Sequence, residues 1–205
     1  MAIYELNQTL LTNPSFFVIY QILVNIVLAT DIMDKQLGAL RKAHWEKAFS
    51  DESVKSGGSS SSKGEASKDV NRKATIVLEH LIQASDVSHT MQHWHVYRKW
   101  NERLFQEVYK SYLDGRIDKD PSESWYRGEI GFFDHYIIPL AKKLETCGVF
   151  GVSSDEYLNY AQHNRDEWVE KGESIVEGYL SAVGKPALPP NVEPQSEVGD
   201  AGIDC

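Results

Sequence analysis

The chain has 205 residues, 41% of them hydrophobic and 11% aromatic, which is enough for one packed domain with tails. Its 30 acidic side chains against 21 basic ones argue against a nucleic-acid partner and give no attraction to an anionic membrane. The two cysteines, Cys147 and Cys205, form no CxxC, which excludes a thiolate zinc site and points to a reducing, cytoplasmic compartment.

Residues 3–49 read as helical. Pro14 suits a helix start, with Thr12 or Asn13 as its cap. Phe16 to Ala29 is apolar over fourteen residues but carries Gln21 and Asn25. A membrane span needs about 20 apolar residues. No basic segment precedes the run, so it does not read as a secretory signal. Phe17, Ile19, Tyr20, Leu23, Val24, Val27 and Leu28 recur at helical spacing over a broad surface, which predicts a helix enclosed by others.

Residues 50–70 include Gly57-Gly58-Ser59-Ser60-Ser61-Ser62 and no aromatic, which predicts a flexible insertion. Residues 71–182 form the main helical part. Ile76, Val77, Leu81, Ile82 and Ala84 mark one helix. Val96, Tyr97, Trp100, Leu104, Val108 and Tyr112 mark the next, stopping near Asp114-Gly115. Ile130, Phe133, Ile137, Ala141 and Leu144 mark a third, which ends before Gly148 and carries Pro139 as a kink. Ser153 and Glu156 are spaced as a capping box for a fourth, continued by Leu158, Ala161, Trp168, Ile175 and Tyr179. Prolines and few apolar residues mark 183–205 as a disordered tail. No strand-length alternation stands out, and the predicted class is all-α.

Asp86 is the sharpest chemical candidate. It ends an apolar helical run, where a carboxylate caps the helix, joins a salt bridge or binds a metal. His89, His93 and His95 cluster beyond it. The spacing of four between His89 and His93 fits either two metal-ligating imidazoles or plain surface histidines. Glu129 fits a helix start favoured by the helix dipole. Phe132, one turn on, fits core packing.

Taken together, these segments resemble the catalytic domain of class I 3′,5′-cyclic-nucleotide phosphodiesterases, specifically its C-terminal half. The similarity runs through Leu28-Ala29-Thr30-Asp31, Ser85-Asp86-Val87-Ser88, Tyr97-Arg98-Lys99-Trp100, Glu129-Ile130-Gly131-Phe132, Ile138-Pro139-Leu140 and Asn164-Arg165-Asp166-Glu167-Trp168. It covers residues 3–170 outside the serine-rich insertion, in the family's order. The resemblance implies a helical bundle that hydrolyses cyclic AMP or cyclic GMP to the 5′-monophosphate in signal transduction. It implies two divalent metals, zinc plus magnesium or manganese, with Asp86 as a ligand. Glu129 and Phe132 fall where the family holds the purine, and Thr30 and His89 where it lines the pocket.

Three departures matter. The family's purine-holding glutamine is Glu129 here, and an ionised carboxylate only accepts where a carboxamide also donates. His89 stands where the family has an asparagine. The family takes metal ligands from a His-Asn-x-x-His-Ala segment, which also supplies the general acid, and from a later His-Asp pair. No His-Asn and no His-Asp dipeptide occurs in this sequence. No catalytic acid is identified, and the ligand set for the metal-bound hydroxide that attacks the phosphate is incomplete. The alternatives are a non-catalytic helical interaction module of the same family, or an unrelated metal protein using Asp86, His89 and His93. A half-domain also exposes apolar surface, which predicts self-association.

Overall fold

The computed structural model describes residues 14–32, 34–49 and 63–184. Its helices are α1 (Pro14–Ala29), α2 (Lys35–Phe49), α3 (Lys63–Asp86), α4 (Trp94–Leu113), α5 (Trp125–Phe132), α6 (Ile138–Cys147) and α7 (Glu156–Ala182). Short 3-10 turns lie at Ser88–Met91, Pro121–Glu123 and Gly151–Ser153, and a π turn at Phe133–Ile137 joins α5 to α6. No strand occurs among the described residues, as the all-α prediction requires. Helix α3 starts at Lys63, ahead of the boundary at 70 read from composition. The expected caps Thr12 and Asn13, residues 50–62 and the tail from 185 lie outside the described residues.

Helices α4 to α7 form the packed body. Helix α7 lies against α4, α5 and α6, and α3 bridges from α6 to α1 and α2. Tyr97, Phe105, Phe133, Ile137, Leu144, Trp168 and Leu180 are fully enclosed between them. Their rings meet mostly edge to face: Tyr97 contacts Phe133 at 5.2 Å and Trp168 at 5.8 Å between centroids. That geometry suits the aromatic quadrupole better than a face-to-face sandwich.

Local chemistry sets the helix ends. Asp34 Oδ1 accepts from the backbone N–H of Gln36 and Leu37 at 2.8 and 3.0 Å, so it caps α2. Gly148 ends α6 at φ 64°, a left-handed position that costs glycine nothing. Pro139 is the second residue of α6, just past the π turn. A proline in a regular helix clashes with the carbonyl four residues back, and the wider π turn supplies the room.

The stripe expected on α4 is misplaced, since Trp100 and Leu104 are exposed and Tyr97, Phe105 and Tyr109 form the buried face. Two further expectations fail. Helix α1 is not enclosed along its described side chains: Val18, Ile19, Tyr20, Leu23 and Val27 are all more than half exposed, while Ala29 is buried. Its principal neighbour is α3, and one neighbour covers only one side of so broad an apolar surface. The Ser153/Glu156 capping box does not form. Ser153 sits in a 3-10 turn, and α7 starts behind Asp155, whose side chain makes no capping bond.

Candidate nucleotide site

Asp86 is the last residue of α3 and is exposed. One turn earlier on the same helix, buried Gln83 donates from Nε2 to the Ala29 carbonyl at 2.8 Å. That bond ties the end of α1, and with it Thr30, to the end of α3. Thr30 is exposed and folds back, its hydroxyl donating to the Val27 carbonyl at 2.8 Å. Across from α3, the negative charge of Asp86 reaches Tyr136 in the π turn. Burial first, and Asp86 with it, push the Tyr136 phenol up to about 12 against the opposing pull of Arg41. Tyr136 in turn stacks on Phe132 at 5.4 Å and 16°. Phe132 and Tyr136 therefore share one aromatic face on which the charge of Asp86 acts, and Gln83 ties Thr30 to the helix end that carries Asp86.

His89 lies in the 3-10 turn that follows α3, half-buried, with its ring 6.4 Å from Trp100. Burial lowers its pKa and favours the neutral imidazole. The turn is held from behind by α7. Asn164, fully buried, donates from Nδ2 to the carbonyls of Thr90 at 2.9 Å and Gln92 at 2.7 Å. Next to it, Arg165 grips Asp134 of the π turn through two bonds of 2.6 and 3.1 Å. Trp168 donates from Nε1 to the Tyr126 carbonyl at 3.1 Å. The Asn-Arg-x-x-Trp segment thus clamps the turn bearing His89 and the elements around Phe132.

Glu129 faces inward, not outward. Its Oε2 accepts from the Tyr97 hydroxyl at 2.8 Å, and Asn101 also bonds its carboxyl. Behind them, Trp125 donates from Nε1 to Asn101 Oδ1 at 3.2 Å. Burial raises the Glu129 pKa, and the bonds from Tyr97 and Asn101 work against that rise. The same arrangement raises the Tyr97 phenol far above its usual value, through burial first and then the Glu129 charge. Glu129 is thus fixed by its own core. Tyr97 belonged to a recognisable motif, but nothing in the sequence linked it to a residue 32 positions on.

These positions do not supply a donor set for two metals. Among the described residues, no three His, Cys, Asp or Glu side chains group as ligands for one ion. Asp86, His89 and His93 therefore do not form the centre that an unrelated metal protein would need. His93 turns instead to His95 and Tyr160, each at 5.3 Å between ring centroids.

The profile of the 3'5'-cyclic nucleotide phosphodiesterase family matches residues 8–148. The chain belongs to that family. Asp86, His89, Glu129, Phe132 and Thr30 all fall within the matched stretch, and the Asn164–Trp168 clamp lies beyond it. No curated protein and no solved structure matches the chain.

Proposed function

We propose that this chain carries the purine-binding part of a cyclic-nucleotide phosphodiesterase, a protein of the reducing cytoplasm, and does not hydrolyse cyclic AMP or cyclic GMP alone. The observation that carries this reading is the Glu129–Tyr97 bond on the helix that also presents Phe132. Catalysis requires binding the substrate and then stabilising charge on the phosphate. The residues here address the first task. Phe132, already stacked on Tyr136, offers an aromatic surface for a base. Glu129 accepts a hydrogen bond from a base amino or ring N–H, and gains a donor only when protonated. Its burial-raised pKa brings that protonated form nearer to neutral pH. Asp86 is the residue that would hold a metal. The second task has no counterpart among the described residues, because no three potential ligands group there around one ion.

Cyclic AMP and cyclic GMP binding to the purified chain tests the reading. Phe132→Ala weakens binding about tenfold through lost stacking of roughly 1–1.5 kcal/mol. Glu129→Gln restores both donor and acceptor and tightens it, since a base acceptor left unpaired costs about 1–3 kcal/mol. Binding by the unsubstituted chain strengthens as pH falls, because protonated Glu129 both donates and accepts. Affinity indifferent to both substitutions contradicts the assignment.

The exposed apolar side of α1 favours a second reading for the same chain, a helical interaction module. Between Pro14 and Ala29 that helix carries no charged residue to oppose association.

A further inference from the structure

A cavity of about 240 Å³ opens between α2, α3 and α6. Arg41, His80, Gln83, His135, Tyr136 and Lys143 supply its polar wall, and no carboxylate lines it. None of the five candidate nucleotide and metal residues lines it either. In a chain of net charge −9 this concentration of nitrogen-bearing side chains runs against the average.

The hydrogen bonds fix the charge on each group. His80 is almost completely buried, and its Nδ1 lies 2.7 Å from the Ile76 carbonyl. A carbonyl only accepts, so Nδ1 bears the ring proton. Nε2 is then bare and accepts from Lys143 Nζ at 3.1 Å. The imidazole is neutral and leaves the ammonium charge intact. Lys143 also lies 5.4 Å above the Trp45 ring, a contact that holds a cation without cancelling it. Arg41 donates to the Leu28 carbonyl at 3.3 Å and the Asp31 carbonyl at 3.1 Å, both neutral acceptors.

Acidic groups approach from outside the wall, among them Asp86 acting on Tyr136, and Asp134, held by Arg165, beside His135. Glu79 faces Arg41 and His44 from α3. Glu46 acts on Lys143 from α2, but is itself exposed and paired with Lys42 at 3.9 Å. Burial lowers the Lys143 pKa, and the repulsion it feels from Arg41 exceeds the attraction from Glu46. The lining of the cavity is positive.

We propose that this cavity binds a small phosphate-class oxyanion, either inorganic phosphate or the phosphate of a small monoester, between Arg41, Lys143 and His135. The anion takes charge-assisted bonds from the guanidinium and ammonium. Tyr136 adds a hydroxyl donor, since burial keeps its phenol protonated. The volume lies below the roughly 300–1,000 Å³ of pockets that enclose drug-sized ligands, which restricts the ligand to a small one. The cavity shares Tyr136 and Gln83 with the candidate nucleotide edge, but the assignment rests on Arg41, Lys143 and His135 and does not require the nucleotide reading.

Titration of the whole chain with inorganic phosphate and, separately, glycerol phosphate, at ionic strength matched with chloride, tests it. Saturable binding is expected, weakened at least tenfold by Lys143→Met and restored to within about threefold by Lys143→Arg, which keeps the charge. The tighter of the two ligands identifies the source of the phosphate. Imidazole resonances of His80 and His135 in the unsubstituted chain provide a reading that needs no variant, and both shift on saturation. Phosphate binding no tighter than chloride, binding untouched by Lys143→Met, or imidazole resonances that stay still while phosphate binds would overturn the proposal.

Discussion

Replacing Asn164 by leucine is the sharpest test of how the site is held. Asn164 is completely buried, and its amide donates to two carbonyls in and just after the turn that carries His89. Leucine has nearly the same shape and no donor. A buried carbonyl stripped of its donor costs about 1–3 kcal/mol, so two cost roughly 2–6 kcal/mol. One term opposes this. Asn164 Oδ1 is itself buried without a partner, and removing it returns about 1 kcal/mol. The net expectation is a loss of about 1–5 kcal/mol. With a urea slope near 2 kcal/mol per molar, the unfolding midpoint falls by about 0.5–2.5 M. Hydrogen exchange reports on the turn itself, and the Thr90 amide, which donates to Val87 at 2.9 Å, should exchange faster. A midpoint shift worth less than about 0.5 kcal/mol would show that the two bonds are not what holds the turn.

Other consequences follow from the same contacts. Gly172→Ala should cost about 1–3 kcal/mol by chemical denaturation, because a Cβ there would lie 2.8 Å from the Tyr126 ring and 2.9 Å from the Trp168 ring. An unchanged midpoint would mean that both rings yield freely. His80 is held down to about 4 from 6.5, chiefly by burial, so the unfolded chain takes up the proton first as pH falls. Its share of stability is complete above pH 6.5 and declines toward pH 4, amounting to about 2 kcal/mol between pH 7 and 5. Urea midpoints of the parent and His80→Gln over that range should converge as acid is added, and parallel curves would refute the assignment. Leu23→Glu with Val27→Glu should abolish concentration-dependent association in sedimentation, with little loss of stability because both side chains are already mostly exposed. A parent that stays monomeric would refute the reading of α1 as an interaction face.

Periodicity made the body of the fold legible. The spacing of Leu158, Ala161 and Trp168 on α7 corresponds to a face that is in fact buried, whereas on α4 only Tyr97 of the expected stripe is fully buried, and the neighbouring positions Phe105 and Tyr109 take the core face. Helix α1 shows where periodicity stops. It measures how apolar a surface is, not how many neighbours will cover it. The capping box failed for a related reason: Ser153 and Glu156 have the right spacing, but positive-φ Gly151 opens a 3-10 turn that consumes Ser153. At the site, the Asp86 and Phe132 positions could be named from local motifs. Their connection runs through Tyr136, and the partners of Glu129 lie on a different helix. The basic cavity left no trace in the sequence at all, because Arg41, His80 and Lys143 come from three separate helices of an acidic chain.

The most direct test is hydrolysis of cyclic AMP and cyclic GMP by the purified, folded chain supplied with zinc and with magnesium or manganese, beside an Asp86→Ala control. The account predicts no turnover above the control while nucleotide binding persists. Turnover that disappears with Asp86→Ala would contradict it, and would mean that this chain assembles a complete two-metal site.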